Sequence, residues 1–274
     1  MCIRDSIYDI VNDGRYLYAA IGNSWPLALA VVMIDPLTMT TVATWNDTYD
    51  GATGVRYLYH DGNYLYAFVR SSTVPNRIFK INTVSMTTIA TWTGVYLSQN
   101  LGGITGDGTY IYAGDSLITP RLHKINPETM ATIDEWVGPS SIGDIGSVTY
   151  LGGFVYAGTY LNLPPYDPFR VYKVNAATMA HVDVYIGSAE EKDVRRVVND
   201  GTYLYAGLYT SPGIVVKINP ATMTRVGRWE GRSGENYVLD LSLDSEHLYA
   251  VVAVAPTQAI SCLLYTSPSP TRPY

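Results

Sequence analysis

Cysteine is nearly absent from this 274-residue chain, and its two copies, Cys2 and Cys262, lie in the end segments. Residues 1–6 (MCIRDS) and 262–274 (CLLYTSPSPTRPY) resemble the translation of a sequencing adapter, one end per strand. We therefore expect both segments to be adapter-derived, the chain to be a metagenomic fragment, and the native part to span 7–261. No disulfide, zinc–thiolate site or cysteine nucleophile is expected in that part.

Charge is also scarce, since only 15% of the residues are charged and the formal net charge is −6. An acidic balance without a run of lysine or arginine argues against nucleic acid or an anionic membrane as the main partner. No stretch approaches 18 consecutive apolar residues, so no membrane span is predicted. An extracytoplasmic or secreted location is favoured.

Recognisable catalytic and metal-binding patterns are missing as well. The four histidines show neither His-x-His nor His-x-x-x-His spacing, and they are His60, His123, His181 and His247. No calcium loop, nucleophile elbow or phosphate loop is present. The sequence therefore predicts no catalytic residue, no metal and no cofactor.

Tyrosine is abundant, with 24 residues, and it marks an internal repeat. An aromatic-aliphatic-Tyr-Ala unit recurs six times, with its second tyrosine spaced by 48, 46, 44, 49 and 44 residues; these tyrosines are Tyr18, Tyr66, Tyr112, Tyr156, Tyr205 and Tyr249. Asp-Gly pairs precede four of the units, which is a hairpin signal, and glycine supplies the positive φ of a tight turn.

A second unit follows each of the first five, as in Lys124-Ile125-Asn126-Pro127 with Met130 and Trp136. An Asx residue before proline suits a type I turn, so each copy reads as four short strands. The strands predicted for the second copy are Val55–His60, Tyr64–Arg70, Arg77–Ile81 and Thr87–Trp92.

Four antiparallel strands per copy predict an all-β fold, a β-propeller of four-stranded blades. About 5.5 blades are expected in the chain, the sixth keeping only two strands, and six to eight in the intact protein. The expected repeats lie near 7–54, 55–103, 104–147, 148–196, 197–236 and 237–261.

The motifs DG-x-YLYA and KINPxTM resemble bacterial β-propeller repeats of the YVTN and quinoprotein-like superfamily. The resemblance implies the fold and says little about activity. Quinoproteins bind pyrroloquinoline quinone, but none of their cofactor residues maps onto this chain. The repeated tryptophan lies inside the fourth strand, which indicates a packing role.

Length varies mainly between strands two and three: the spacing from the unit tyrosine to the next Ile or Val is 16, 15, 13, 18 and 13 residues. These loops and the connections between blades emerge on one face, where binding function is commonly carried. Aromatic and arginine residues there are the predicted ligand-binding candidates: Trp25, Tyr160, Tyr166, Phe169, Tyr209, Arg70, Arg121 and Arg170. The same loops hold Tyr49, Tyr96, Tyr237 and Arg77. Each of these residues could instead pack under the loops.

Two further expectations concern charged residues. Four of the five lysines recur in one strand position and are predicted to be solvated at a strand edge. Glu190, Glu191 and Asp193, beside Arg195 and Arg196, are predicted to form a solvated loop.

Three functions remain open on the sequence alone. The favoured one is a non-catalytic scaffold that binds a carbohydrate or a protein on the variable-loop face. A propeller enzyme, such as a quinone-dependent dehydrogenase or a lyase, would need polar groups converging at the channel mouth; the candidates are Arg56, Arg195, Arg196 and Asp240. The third is a structural module of a surface or virion protein.

Overall fold

The computed structural model describes residues 6–22, 29–49, 51–71, 73–94, 100–116, 119–140, 143–160, 168–254 and 257–263. All regular secondary structure in these ranges is β-strand, which confirms the predicted all-β class. Within them, no helix has the length and apolarity needed to cross a membrane. The chain forms two compact units, Met1–Ser140 and Ser141–Tyr274.

The first unit contains three four-stranded antiparallel sheets, in which strands pair in chain order. Its strands are β1 (Ser6–Asn12), β2 (Leu17–Gly22), β3 (Leu29–Asp35), β4 (Thr40–Asp47), β5 (Ala52–His60), β6 (Tyr64–Ser71), β7 (Arg77–Asn82), β8 (Thr87–Thr93), β9 (Asn100–Gly106), β10 (Ile111–Ser116), β11 (Pro120–Asn126) and β12 (Ala131–Val137). All four strands predicted for the second copy form, and the largest difference is at β5, which begins at Ala52 rather than Val55.

The second unit contains two four-stranded sheets and one three-stranded sheet, also paired in chain order. Its strands are β13 (Asp144–Leu151), β14 (Phe154–Tyr160), β15 (Arg170–Asn175), β16 (His181–Ile186), β17 (Val194–Asn199), β18 (Leu204–Leu208), β19 (Ile214–Asn219), β20 (Thr224–Glu230), β21 (Glu235–Leu243), β22 (Leu248–Val254) and β23 (Thr257–Leu263). The prediction of two strands for the last copy is wrong, because β23 pairs with β22 along its whole length.

Successive sheets within each unit pack face to face, as blades do. In the first unit, Tyr66 and Ile78 of the second sheet share a buried cluster with Ile104 and Ile111 of the third. In the second unit, glycine permits the close approach: a Cβ added at Gly158 of β14 would lie 2.7 Å from a methyl group of Val197 in β17. The predicted β-propeller of about 5.5 blades is confirmed.

Each sheet has two distinct ends. The connections from first to second and from third to fourth strand lie at what we call the turn end. The connection from second to third strand, and the segment leading to the next sheet, lie at the loop end. The turn end is built from two repeated motifs, and each depends on an Asx side chain.

The first motif joins the unit tyrosine to an aspartate in the turn before it. In the second copy, Asp61 Oδ1 accepts the backbone N–H groups of Asn63 and Tyr64, and Asp61 Oδ2 accepts the hydroxyl of Tyr66 at 2.7 Å. The same tyrosine-to-aspartate bond forms in four other copies, at 2.7–2.8 Å: Tyr18 to Asp13, Tyr112 to Asp107, Tyr205 to Asp200 and Tyr249 to Asp244. In Asp244 this bond, followed by two backbone N–H donors, lowers the carboxyl pKa to about 2.

The geometry differs in part from the sequence-based expectation. Of the two residues in each Asp-Gly pair, only the glycine has a positive φ, for example 100° at Gly62. The aspartate has no positive φ and acts through its side chain instead. The sequence analysis predicted the turn correctly, but it did not predict that the aspartate carboxylate holds the turn together.

The fourth copy is an internal exception, because Leu151 stands where the other copies have aspartate. Here Leu151 pairs directly with Phe154 across a two-residue turn of Gly152 and Gly153, both with positive φ. This is a twist-matched hairpin turn that requires no side chain. Burial raises the pKa of the Tyr156 hydroxyl to about 12, without the contribution from an aspartate.

The second motif is the Asx turn between the third and fourth strands. Asn126 Oδ1 accepts the N–H groups of Glu128 and Thr129, as predicted, and the Asn126 carbonyl accepts the N–H of Met130. Met130 adopts a left-handed φ of 51°, and its equivalents in the other four turns have φ between 48° and 53°. The sequence did not predict this conformation, which ordinary side chains adopt only at a cost.

Hydrogen bonds between neighbouring sheets accompany the apolar packing and align one sheet with the next. The indole N–H of Trp45 donates to Thr88 Oγ1 of the next sheet at 2.9 Å, and Trp92 donates to Thr132 Oγ1 in the same way. Trp92 is 2% exposed. The packing role predicted for the repeated tryptophan is therefore confirmed.

Three of the four repeated lysines are buried and the fourth, Lys217, is partly buried, so the prediction that they are solvated is wrong. Lys80 is 8% exposed, and its ammonium group lies 3.9 Å from the centre of the Tyr64 ring. The same Nζ donates to the carbonyl of Pro127 in the next sheet, and Lys173 donates likewise to Pro220. The lysine lies on the third strand, inside the sheet, where a cation–π contact and a carbonyl offset its desolvation.

Replacing Asp61 tests the first motif. We expect Asp61→Ala to lower the free energy of unfolding by about 2–3 kcal/mol, because three hydrogen bonds to a carboxylate are lost. Asp61→Asn keeps one acceptor oxygen and should cost about 1 kcal/mol. Urea unfolding followed by tyrosine and tryptophan fluorescence measures both values. Equal stability of Asp61→Ala and the unsubstituted chain would contradict the assigned role.

Replacing Lys80 tests the link between sheets. Copy one has Met33 opposite Tyr18, where Lys80 lies opposite Tyr66, so methionine fits this position. We expect Lys80→Met to lower the melting temperature, with a loss of about 1–2 kcal/mol from the ring contact and the bond to Pro127. Stabilisation by Lys80→Met would show that burying the ammonium group costs more than its contacts return.

Candidate functional site

The predicted binding residues lie at the loop ends of the sheets, and several fall outside the described part of the chain. Trp25, Tyr96 and Tyr166 belong to ranges that the structure does not describe. Tyr160 is described only as the last backbone position of β14. The remaining candidates divide into an exposed stack in the second unit, an arginine group in the first, and residues that prove to be structural.

The exposed stack consists of Tyr209, Tyr237 and Arg195. The rings of Tyr209 and Tyr237 lie 4.4 Å apart at an angle of 22°, and the Arg195 guanidinium carbon lies 4.6 Å from the centre of the Tyr209 ring. Tyr209 remains 37% exposed. Ring stacking and a cation–π contact therefore hold an exposed tyrosine in place before any ligand arrives.

Backbone hydrogen bonds fix the loops that carry this stack. The N–H of Tyr209 donates to the carbonyl of Asp193, and the N–H of Tyr237 donates to the carbonyl of Thr210, each at 2.8 Å. Asp193 and Tyr237 both adopt left-handed backbone conformations, with φ of 51° and 53°. Burial raises the pKa of the Asp193 carboxyl, and the positive charges of Arg195 and Lys192 oppose that shift. Residue spacing alone did not indicate that these three loops are joined.

Two of the channel-mouth candidates pair with each other. Arg196 Nε lies 3.1 Å from Asp240 Oδ1, joining the first strands of the fifth and sixth sheets. The related positions in other sheets also carry links between strands, since Asp9 Oδ2 accepts the N–H of Leu58 and Ser147 Oγ accepts the N–H of Val197. Arg196 and Asp240 therefore occupy a position that serves packing between sheets.

Three arginines lie at the loop end of the second sheet: Arg56 near the start of β5, Arg70 near the end of β6 and Arg77 at the start of β7. Their Nε atoms are shielded from solvent and have no hydrogen-bond partner among the described residues. Arg56 lies 3.9 Å from the ring centre of Tyr8, and Arg77 lies 3.8 Å from that of Tyr49. Sequence reasoning named all three but did not group them.

Phe169 and Tyr49 are corrections to the candidate set, because both are buried. Phe169 is 2% exposed, and its ring packs 5.5 Å from that of Tyr185. Tyr49 is 9% exposed, and its hydroxyl donates to the carbonyl of Pro75. Arg170, at the start of β15, is partly buried. Packing under the loops, the alternative reading of these aromatic residues, is the one that the structure supports.

Glu191 is also a correction, because the loop predicted to be solvated contains a fully buried carboxylate. Glu191 is 0% exposed, and its Oε1 lies 2.8 Å from Arg225 Nη1 and 3.6 Å from Arg228 Nε. Its Oε2 accepts the N–H of Ser188. Burial, with this carboxylate nearby, raises the pKa of the Tyr185 hydroxyl to about 12.

Arg121 belongs to a charged group in the third sheet. It forms an ion pair with Glu135 at 2.6 Å, and Glu135 also lies 3.6 Å from Nδ1 of the buried His123. Nε2 of His123 lies 3.2 Å from Asp115 Oδ2. The sequence did not predict this group, since its members are joined only by cross-strand pairing. Across the ranges that the structure covers, no group of three or more His, Cys, Asp or Glu side chains is arranged to hold a metal ion.

Comparison with known proteins identifies the fold and no family. No protein-family model matches the chain, and no curated protein matches it. Among solved structures, 1248 chains are similar. One of them, from a structure titled "Crystal Structure of Mitotic Checkpoint Complex", superposes with a TM-score of 0.69 at 15% identity, over 97% of this chain and 80% of that one. At this identity the likeness shows a shared fold alone.

Glu191 and its neighbour Glu190 provide a matched test of the buried carboxylate. We expect Glu191→Ala to lower the free energy of unfolding by about 2–4 kcal/mol, because Arg225 and Arg228 lose their partner and Ser188 loses an acceptor. The exposed Glu190→Ala should change it by less than about 0.5 kcal/mol. Chemical unfolding of both variants decides the matter, and similar effects would place Glu191 in solvent.

Proposed function

We propose that the chain is a non-catalytic binding scaffold that engages a protein partner through the loop ends of its sheets. The observation that carries the proposal is the stack of Tyr209, Tyr237 and Arg195, in which an exposed tyrosine is held rigid by its neighbours. Tyrosine and arginine are enriched among the residues that dominate protein interfaces, and a rigid side chain loses little entropy on binding.

A protein partner is favoured over a carbohydrate by the way the aromatic rings are used. A sugar ring packs against an open aromatic face. The Tyr209 ring already contacts both Tyr237 and Arg195, and guanidinium groups lie over Tyr8 and Tyr49. The loop ends therefore offer hydrogen-bond donors and ring edges more than open ring faces.

Binding is favoured over catalysis by the pairing of the channel-mouth candidates. An active site requires polar groups that converge on a substrate. Arg196 and Asp240 instead satisfy each other, and Arg195 lies over Tyr209.

We also propose that the repeat is of the YVTN and quinoprotein-like kind. The residues that carry that resemblance have recurring structural tasks here: the Asp and Tyr of DG-x-YLYA bond to each other, and the Lys and Asn of KINPxTM link sheets and close a turn.

The proposal predicts that ligand affinity depends on Tyr209. The full chain is screened on arrays of defined peptides and defined glycans, and the best ligand is measured by titration. We expect a peptide ligand whose affinity falls by about 30-fold in Tyr209→Ala, as for an interface hot spot. The control Val84→Ala, which alters a 94% exposed residue at a turn end, should leave the affinity unchanged.

Two results would contradict the proposal. One is a glycan ligand that the Tyr209→Ala variant binds as well as the unsubstituted chain. The other is a ligand whose affinity falls equally in the Val84→Ala variant.

A further inference from the structure

The arginines of the second sheet are an unbalanced group of charges in an acidic protein. No hydrogen bond or ion pair of the described residues involves the guanidinium groups of Arg56, Arg70 or Arg77, and each Nε is closed off from solvent. Partial burial of a guanidinium costs desolvation free energy, and no hydrogen-bond acceptor among the described residues offsets that cost. The formal net charge of −6 makes such a local excess of positive charge more notable.

Strand register separates the three arginines into two sides of the sheet. Arg77 pairs with Val69, and Arg70 is the next residue along β6, so Arg70 and Arg77 point to opposite sides. Arg56 lies over Tyr8 of β1, and Arg77 lies over Tyr49 of the connection from β4 to β5. Arg56 and Arg77 therefore share the side that faces the first sheet, and Arg70 lies on the other.

Arg56 and Arg77 also lie at the same height along the sheet. Arg56 is the extra residue of a β-bulge between Val55 and Tyr57, and Val55 pairs with the same Val69 that Arg77 pairs with. Only β6 separates their strands, so the two backbones are about 10 Å apart, which is twice the strand spacing. An extended peptide advances about 3.3 Å per residue, so acidic side chains two to three residues apart span a comparable distance.

The tyrosine rings prepare both arginines for an oxyanion. A cation–π contact holds each guanidinium beside its ring, and a guanidinium presents its N–H groups as a rigid planar fork along its edge. That edge matches a carboxylate in two-point geometry, and a charge-assisted bond of this kind is stronger than a neutral one. The Tyr49 ring is itself fixed, because its hydroxyl is bonded to the carbonyl of Pro75 at 2.6 Å.

We propose that Arg56 and Arg77, braced by Tyr8 and Tyr49, form a binding site for an acidic peptide segment of a protein partner. This inference rests on the proposed scaffold function and adds the chemistry of the ligand. Arg70 lies outside the site and provides a matched control, since it has the same charge at the same end of the same sheet.

The test uses the full chain and a fluorescent oligoglutamate peptide, with oligoglutamine as the neutral probe and polygalacturonate as an acidic polysaccharide. Fluorescence anisotropy at low salt should show binding of oligoglutamate and none of oligoglutamine. We expect Arg56→Gln and Arg77→Gln each to weaken binding by about tenfold or more, the size of a lost charge-assisted bond. Arg70→Gln should change the affinity by less than about twofold, the effect of screened net charge alone.

A second measurement guards against variants that fold poorly. Oligoglutamate should raise the melting temperature of the unsubstituted chain and of Arg70→Gln, because a ligand that binds the folded state stabilises it by mass action. The conservative Arg77→Lys variant keeps the charge and loses the two-point geometry, so it should bind several-fold more weakly than the unsubstituted chain.

Three outcomes would overturn the inference: equal losses in all three Arg→Gln variants, binding of oligoglutamine, or binding of polygalacturonate without oligoglutamate. The failure of the wider function is distinguishable from these. If oligoglutamate does not bind but a peptide from the array binds in a Tyr209-dependent way, the scaffold function stands and the arginine site does not.

Discussion

The hydrogen bond from a buried tyrosine hydroxyl to a turn aspartate ties the core of a sheet to its turn. Asp61 shows how much depends on it, because the same carboxylate accepts Tyr66 and two backbone N–H groups. The tyrosine side chain extends from the middle of the second strand toward the turn, so its position in the core is fixed by the carboxylate. With the turn end fixed in this way, length can vary at the loop end without moving the sheet.

Binding chemistry at the loop end follows from that division. At the loop end, where the length of the connections varies, guanidinium groups lie over tyrosine rings, as Arg195 does over Tyr209 and Arg56 over Tyr8. Such pairs keep an arginine rigid and partly shielded. A rigid sheet with braced cations at its end suits recognition, because little entropy remains to be lost when a partner binds.

The sequence predicted the parts of the structure that are local. Spacing and turn residues were enough for the strands of the second copy, for the Asn126 turn and for the packing of the repeated tryptophan. Lys80 was misread, because its position in the strand does not reveal its two partners, the Tyr64 ring of its own sheet and the Pro127 carbonyl of the next sheet. Glu191 was misread for a similar reason, since Arg225 lies 34 residues away. The candidate arginine site could not be predicted without the strand register, because Arg56 and Arg77 are brought to the same level of the sheet through Val69 on the strand between them.

The bond from Lys80 to Pro127 has a consequence for how such a chain can grow. Its acceptor is a main-chain carbonyl, which every residue possesses, so the contact places no demand on the side chain of the receiving copy. A duplicated module inserted after any lysine-bearing one would be held at once, before a single compensating substitution arose. The contact requires a particular side chain, the lysine, in only one of the two copies. Substitutions in the copy that supplies the carbonyl do not abolish it while the turn keeps its shape. Modular enlargement of the molecule is thereby made tolerant of sequence divergence between its members.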